Sequence, residues 1–179
     1  MTESHLPIMP TTKVAALLDH FPQLEDVLIG MAPPFRKLKN PVLRKSVAKV
    51  ASLRQAAAVG RVPVVELVNK LRAAVGQEPL AAEDLGDTVS YFAEQPDWFD
   101  RTKIVESIDE RVSGDEDKMP LAAVTQKASR LRQGQILELI TTFLPAPGID
   151  IMKERGYRCW SEQEEPELIR TYFFKPAAQ

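Results

Sequence analysis

Between Asp26 and Glu66 this chain contains no acidic residue, while Arg36, Lys37, Lys39, Arg44, Lys45, Lys49, Arg54 and Arg61 supply eight bases. Whatever the stretch folds into must turn those bases outward, toward carboxylates or phosphates supplied from elsewhere. The imbalance reaches further. Residues 1–77 hold 11 Lys and Arg against 5 Asp and Glu, net +6, and the remaining 102 residues hold 12 against 20, net −8. A formal charge of −2 over 179 residues therefore conceals two opposed parts. Gly76, Pro79 and Gly86 bracket a short acidic stretch where the boundary is expected. The chain divides on this reading into a basic domain over 1–77, an acidic linker over 78–102 and a second domain over 103–179.

The first part is punctuated by proline and glycine into short helices. Pro10-Thr11-Thr12 offers a hydroxyl N-cap to a helix carrying Val14, Leu17 and Leu18, which Phe21-Pro22 stops. Leu24, Val27 and Leu28 mark a second helix ending near Gly30. Asn40-Pro41 predicts a third start, with Leu43, Val47 and Val50 on one stripe and Arg44, Lys45 and Lys49 off it. Ser52 caps a fourth helix that ends at Gly60. Pro63 opens a fifth, with Val64, Leu67, Val68 and Leu71 on one face.

After residue 102 the period changes. Lys103–Asp109 alternates as a strand, and Met119–Leu131 returns to helical spacing until Gly134 breaks it. Gln135–Phe143 reads as a buried strand, and Pro145-Ala146-Pro147 turns the chain into a short helix ending at the C′ glycine Gly156. Tyr157–Glu162 and Leu168–Phe174 are two further strands, joined by a hairpin through the acidic Glu162–Glu167. The expected fold class is α+β: a small all-helical domain, then a two-layer β-α-β-α-β-β sandwich. Two helices cover one face of a four-stranded sheet, which leaves the other face for a protein partner or a second copy.

Several mechanisms are excluded by counting. One cysteine cannot form an internal disulfide, and one cysteine with two histidines cannot complete a Cys/His zinc site. There is no glycine-rich phosphate loop and no HExxH. No window is apolar enough to span a bilayer, and Met-Thr-Glu-Ser-His has neither a basic n-region nor an apolar h-region, so a cytoplasmic protein without a membrane partner is expected.

Thr12-Lys13-Val14-Ala15-Ala16-Leu17-Leu18-Asp19-His20-Phe21-Pro22, followed by Leu24 to Met31, resembles the small helical domain of unknown function of bacterial hybrid-cluster-associated proteins, similar to the domain that begins iron–sulfur repair proteins. Those relatives carry a cysteine motif after the glycine and methionine matched here by Gly30-Met31. This chain continues Ala32-Pro33-Pro34-Phe35, without the thiols. Leu131-Arg132-Gln133-Gly134-Gln135-Ile136-Leu137-Glu138-Leu139, Pro145-Ala146-Pro147 and Arg155-Gly156-Tyr157-Arg158-Cys159-Trp160 resemble the SirA/TusA-like fold, in its branch of unknown function accompanying respiratory and nitrogen-oxide proteins. Sulfur carriers of that fold hold a persulfide on the cysteine of a Cys-Pro-x-Pro motif at a helix N-terminus. The matching residues here are Lys118-Met119-Pro120, and a thioether neither ionises nor carries a persulfide. The resemblances imply a setting in anaerobic nitrogen-oxide or iron–sulfur metabolism.

Candidate residues each have a plainer alternative. Cys159 is the one possible thiol nucleophile, but it sits mid-strand, where a packed structural cysteine is the simpler account. His20, with Met31, offers an imidazole and a thioether to iron or haem; a surface histidine at a helix C-terminus explains it as well. Asp109-Glu110 and Asp115-Glu116-Asp117 resemble acid–base pairs but fit a solvated turn better. The eight bases could follow nucleic-acid phosphates, yet aromatics for stacking are absent there apart from Phe35, and the pI of about 5.8 favours docking to an acidic protein. Trp160, Tyr172 and Phe174 are candidates for an aromatic interface on the uncovered sheet face. No cofactor is expected. The expected function is a non-catalytic binding or accessory protein, with a redox or sulfur-handling protein using Cys159 or a bound metal, and a nucleic-acid-binding regulator, as alternatives.

Overall fold

A computed structural model describes residues 6–86, 89–112 and 120–177. The chain forms two compact units, Met1–Ser90 and Tyr91–Gln179, and the architecture is α+β. The first unit holds α1 (Val14–His20), α2 (Leu24–Met31), a 3-10 helix (Pro33–Lys39), α3 (Pro41–Val50), α4 (Leu53–Gly60), α5 (Val64–Ala74) and α6 (Ala82–Leu85).

Its helices start and stop largely where local chemistry dictates. Ser52 and Gln55 form a capping box at α4, each side chain accepting from the other's backbone N–H. Gly60 ends α4 under the ring of Phe35, whose Cζ would lie 2.6 Å from any added Cβ. The expected Thr12 cap is replaced. Lys13 is the N-cap residue of α1, without a side-chain capping bond, and the Thr12 hydroxyl instead accepts from Met9 N at 2.9 Å. Thr12 is needed in the preceding turn, because Leu53 N donates to its carbonyl and pins that turn to the start of α4. Leu17, Leu18, Leu24, Leu28, Leu53, Leu67 and Leu71 meet in one core.

Helix α3 departs from its expected orientation. Among its described side chains the buried one is small, Ala48 at 2% exposed, with Ala51 just beyond the helix, whereas Val50 is 36% exposed and Leu43 half-buried. Tertiary packing sets this orientation, since α3 lies against both α1 and the 3-10 helix, with Ala48 buried and Val47 packed in part against the helical core. Lys13 Nζ donates to Val50 O at 2.6 Å, placing a cation at the helix C-terminus.

The second unit holds β1 (Ile104–Asp109), α7 (Pro120–Ser129), β2 (Ile136–Thr141), α8 (Ala146–Glu154), β3 (Arg158–Glu165) and β4 (Leu168–Phe174). The sheet order is β1-β2-β4-β3, with β1 parallel to β2 and the other pairs antiparallel. The last hairpin turns more tightly than expected, because β3 runs on to Glu165 and leaves Pro166-Glu167 as the turn. Lys118 and Met119, at the position of the absent cysteine motif, lie outside the described residues, as do His5 and Asp115-Glu116-Asp117.

Strand alternation sorts the sheet into two faces. Leu137, Leu139, Cys159, Ser161, Thr171 and Phe173 share the face under α7 and α8, where Val124, Ala128, Ile149 and Met152 are buried. Ile136, Glu138, Trp160, Glu162, Arg170 and Tyr172 share the other.

Residues 78–102, expected as an acidic linker, divide between the two units. Leu80 and Leu85 join the helical core, held by Asn69, which exchanges two hydrogen bonds with the Leu80 backbone, and by Arg54, which donates to Leu85 O at 2.8 Å. From Tyr91 the chain belongs to the sheet. The Tyr91 hydroxyl donates to Asp150 of α8 at 2.7 Å, Trp160 Nε1 donates to Ala93 O at 2.9 Å, and Trp98 and Phe99 reach the face opposite the helices. The segment thus runs from the helix layer past the outer edge of β3 to the far side of the sheet.

Candidate functional site

The eight bases do not form one uniform patch. Arg44 pairs with Glu25 of α2, an acid too far away in sequence for local pattern reading to connect. Arg54 is spent on the Leu85 carbonyl, and its guanidinium lies against Gly86. Arg61 adopts a left-handed backbone (φ 53°) at the end of α4, and both Arg61 and Lys37 have interactions within the protein. Arg36 and Lys39 on the 3-10 helix and Lys45 and Lys49 on α3 are exposed. Phe35, the one aromatic of the stretch, is buried and cannot stack a base.

Cys159 faces the helices. Its sulfur lies 3.9 Å from the carbonyl oxygens of Ile149 and Tyr157, and burial pushes the thiol up to about 12. A thiol so placed is protonated at neutral pH and is a poor nucleophile. His20 ends α1, exposed, its ring edge-on to Phe21 at 4.6 Å. Met31 packs against the helical core. Among the described residues no group of three or more His, Cys, Asp or Glu side chains is arranged to hold a metal.

The aromatics expected as an exposed interface are covered. Phe99 sits 4.7 Å from the Trp160 ring and 4.5 Å from Tyr172, and Trp98 stacks on Phe174 at 5.1 Å. Trp160 is left 7% exposed and Tyr172 fully buried. The Tyr172 hydroxyl donates to Glu162 Oε1 at 2.7 Å, which also receives Arg101 Nη2 at 3.3 Å. Sequence reading missed Tyr91, Trp98 and Phe99 because they fall in an acidic, proline-bearing stretch. The signal available was the Trp-Phe pair itself, too costly to leave in water.

A polar row occupies the same sheet face beside the aromatics. Glu138, 9% exposed, accepts from Ser107 Oγ and from Arg170 Nη1, both at 2.8 Å. Arg170 Nε lies 2.9 Å from Glu164 Oε1 but off the hydrogen-bonding direction, so that contact is an ion pair without a directed bond. Farther along, Arg111 forks both oxygens of Asp109, and that hydrogen bonding holds the Asp109 carboxyl below its ordinary value. Glu110 behaves oppositely. Burial, then the neighbouring Asp109 charge, raises its carboxyl from 4.5 to about 7.

The folded state therefore holds the Glu110 proton more tightly than the unfolded chain does. Stability from this group is present below about pH 4.5 and is lost as pH rises toward about 7. Glu110→Gln is expected to flatten the dependence across that window and to raise stability at pH 8 by on the order of 1 kcal/mol, because partial exposure screens the effect. Urea midpoints at pH 5 and pH 8, followed by tryptophan fluorescence, check this; equal pH slopes in the two proteins would refute it.

Among the described residues, no helix is long and apolar enough to cross a membrane. Residues 8–68, the body of the helical unit, match a family model described as "Domain of unknown function (DUF1858)". No curated protein matches the chain, and no solved structure does.

Proposed function

We propose that this chain is a non-catalytic binding or accessory protein that meets an anionic partner through its basic helical unit. The observation that carries this reading is the outward placement of Arg36, Lys39, Lys45 and Lys49 within a stretch that has no acid of its own. One sign of charge on one surface steers an oppositely charged partner and orients it on arrival. The resemblance of the helical unit to hybrid-cluster-associated and iron–sulfur repair proteins supports a setting in anaerobic nitrogen-oxide or iron–sulfur metabolism. The β-α-β-α-β-β order of the second unit supports its likeness to the SirA/TusA-like fold. The redox alternative needs Cys159 as a thiolate, and burial works against that.

The test is the UV–visible spectrum and metal content of protein purified without oxygen, together with alkylation of Cys159. A colourless, iron-free protein whose thiol reacts only on unfolding is the expected result. A Soret band, an iron–sulfur shoulder, or native alkylation as fast as that of the unfolded chain would sink the reading.

A further inference from the structure

We propose that the end of the sheet unit where β1, β2 and β3 begin and β4 finishes is a binding surface for single-stranded nucleic acid. It goes beyond the reading above, because it lies on the unit which that reading does not use.

Topology gathers the surface. β1 and β2 are parallel, β4 runs against β2, and β3 runs against β4, so the approach to β1, the loop after α7, the turn after α8 and the residues following β4 meet at one end. Gly134 N donates to Lys175 O at 2.8 Å and Lys175 N to Gln135 O at 3.1 Å, which fixes Lys175 beside the start of β2. The Tyr157 hydroxyl donates to Ala128 O at 2.9 Å and ties the turn after α8 to the last turn of α7. Lys103, Arg130, Arg132, Arg155, Arg158 and Lys175 therefore share a rim across four strands, about 14 Å wide. Lys175 is half-buried and the other five are exposed.

Charge is sorted within this unit. Elsewhere in it Arg101 meets Glu162, Arg111 meets Asp109, Lys127 meets Glu106 and Arg170 meets Glu138. None of the six rim bases makes an ion pair among the described residues. The described acids at this end are Asp97, Asp100 and Glu154, and Asp100 is taken up by two hydrogen bonds from Thr102. The negative ends of α7 and α8 account for Arg130 and Arg155. Arg158 and Lys175 stand at strand ends, where that reason does not apply.

Aromatic rings complete the surface. Phe174 lies opposite Arg158 in the β3–β4 ladder, so both point to the far face, and Trp98 stacks on Phe174 at 5.1 Å with 20° between the planes. Both rings are half-buried, whereas Phe99 and Tyr172 behind them are buried. The basic stretch of the helical unit keeps its one aromatic inside; here unpaired bases and partly open rings lie side by side. A single strand uses both, its phosphates meeting the cations and its unstacked bases meeting the rings. A duplex keeps its base faces stacked on one another, and an acidic peptide matches the cations but makes no use of the rings.

The experiment uses the full chain and fluorescence anisotropy, with a labelled oligothymidylate, a labelled DNA duplex and a labelled polyglutamate as probes over a range of salt. The single strand is expected to bind tightest. Arg158→Glu with Lys175→Glu should weaken it about tenfold and lower the salt slope by about 1. Trp98→Leu keeps an apolar cover over Phe174, and should weaken binding about tenfold with the slope unchanged. Lys70→Glu, an exposed base of α5, should change neither. Circular dichroism confirms each fold before binding is read. No binding of the single strand, equal affinity for the duplex or for polyglutamate, or an indifferent Arg158→Glu with Lys175→Glu would overturn the proposal. So would a larger loss with Lys49→Glu, which would move the site to the helical unit. The spectrum and metal content that test the reading above do not depend on these residues, so the two fail separately.

Discussion

Phe99→Ala lowers the stability of the sheet unit by about 3–5 kcal/mol, the range for emptying a buried aromatic site. The ring packs, tilted, against both Trp160 and Tyr172, which stack on each other at 5.4 Å, and it is itself buried. Removing it also loosens Trp98 from Phe174 and frees the Trp160 indole from the Ala93 carbonyl, because one short segment makes all three contacts. The chain's two tryptophans, Trp98 and Trp160, are both in this cluster, so tryptophan fluorescence in urea reports on it directly. Wild-type emission is expected to be blue-shifted and the variant's red-shifted, with an earlier midpoint. A change below about 1 kcal/mol would mean the segment rests on the sheet without holding it. The same reasoning predicts that a fragment beginning at residue 103, where the change of period places the second domain, exposes Trp160 and Tyr172 and aggregates.

Arg170→Leu is the second large effect, at about 3 kcal/mol, while the double variant Glu138→Leu with Arg170→Leu recovers most of the loss. Glu138 is nearly buried in the sheet, and its charge is balanced by Arg170 from the neighbouring strand. Taking away the arginine leaves a carboxylate that Ser107 alone cannot compensate. Taking away both replaces a desolvated pair with aliphatics on a sheet that already tolerates them. Urea denaturation of the four proteins of the cycle gives the coupling. A single variant no less stable than the double would show that the pair is wet and weak.

The elements were legible in the residues to within a few positions wherever a local signal existed. The Ser52 cap, Pro63 before α5, the strands of alternating or continuous apolar residues and the left-handed glycines Gly134 and Gly156 are short-range chemistry, set by neighbours in the chain. The candidate site was less legible. The charge run located the basic surface, but its division into exposed and engaged bases depended on Glu25 and Leu85, which meet Arg44 and Arg54 only in three dimensions.

The amino-acid sequence by itself determined the helical-then-α/β order, the opposed charges of the two parts and the absence of a second thiol. Each follows from composition and period, which tertiary contacts do not change. Only the tertiary structure decided that α3 turns Ala48 inward and leaves Val50 exposed, and that the supposed linker is shared between the two units. It also decided that Trp98 and Phe99 close the aromatic face of the sheet and that Cys159 faces the helices. Those outcomes depend on which surfaces pack most closely, and packing is a property of residues far apart in the chain.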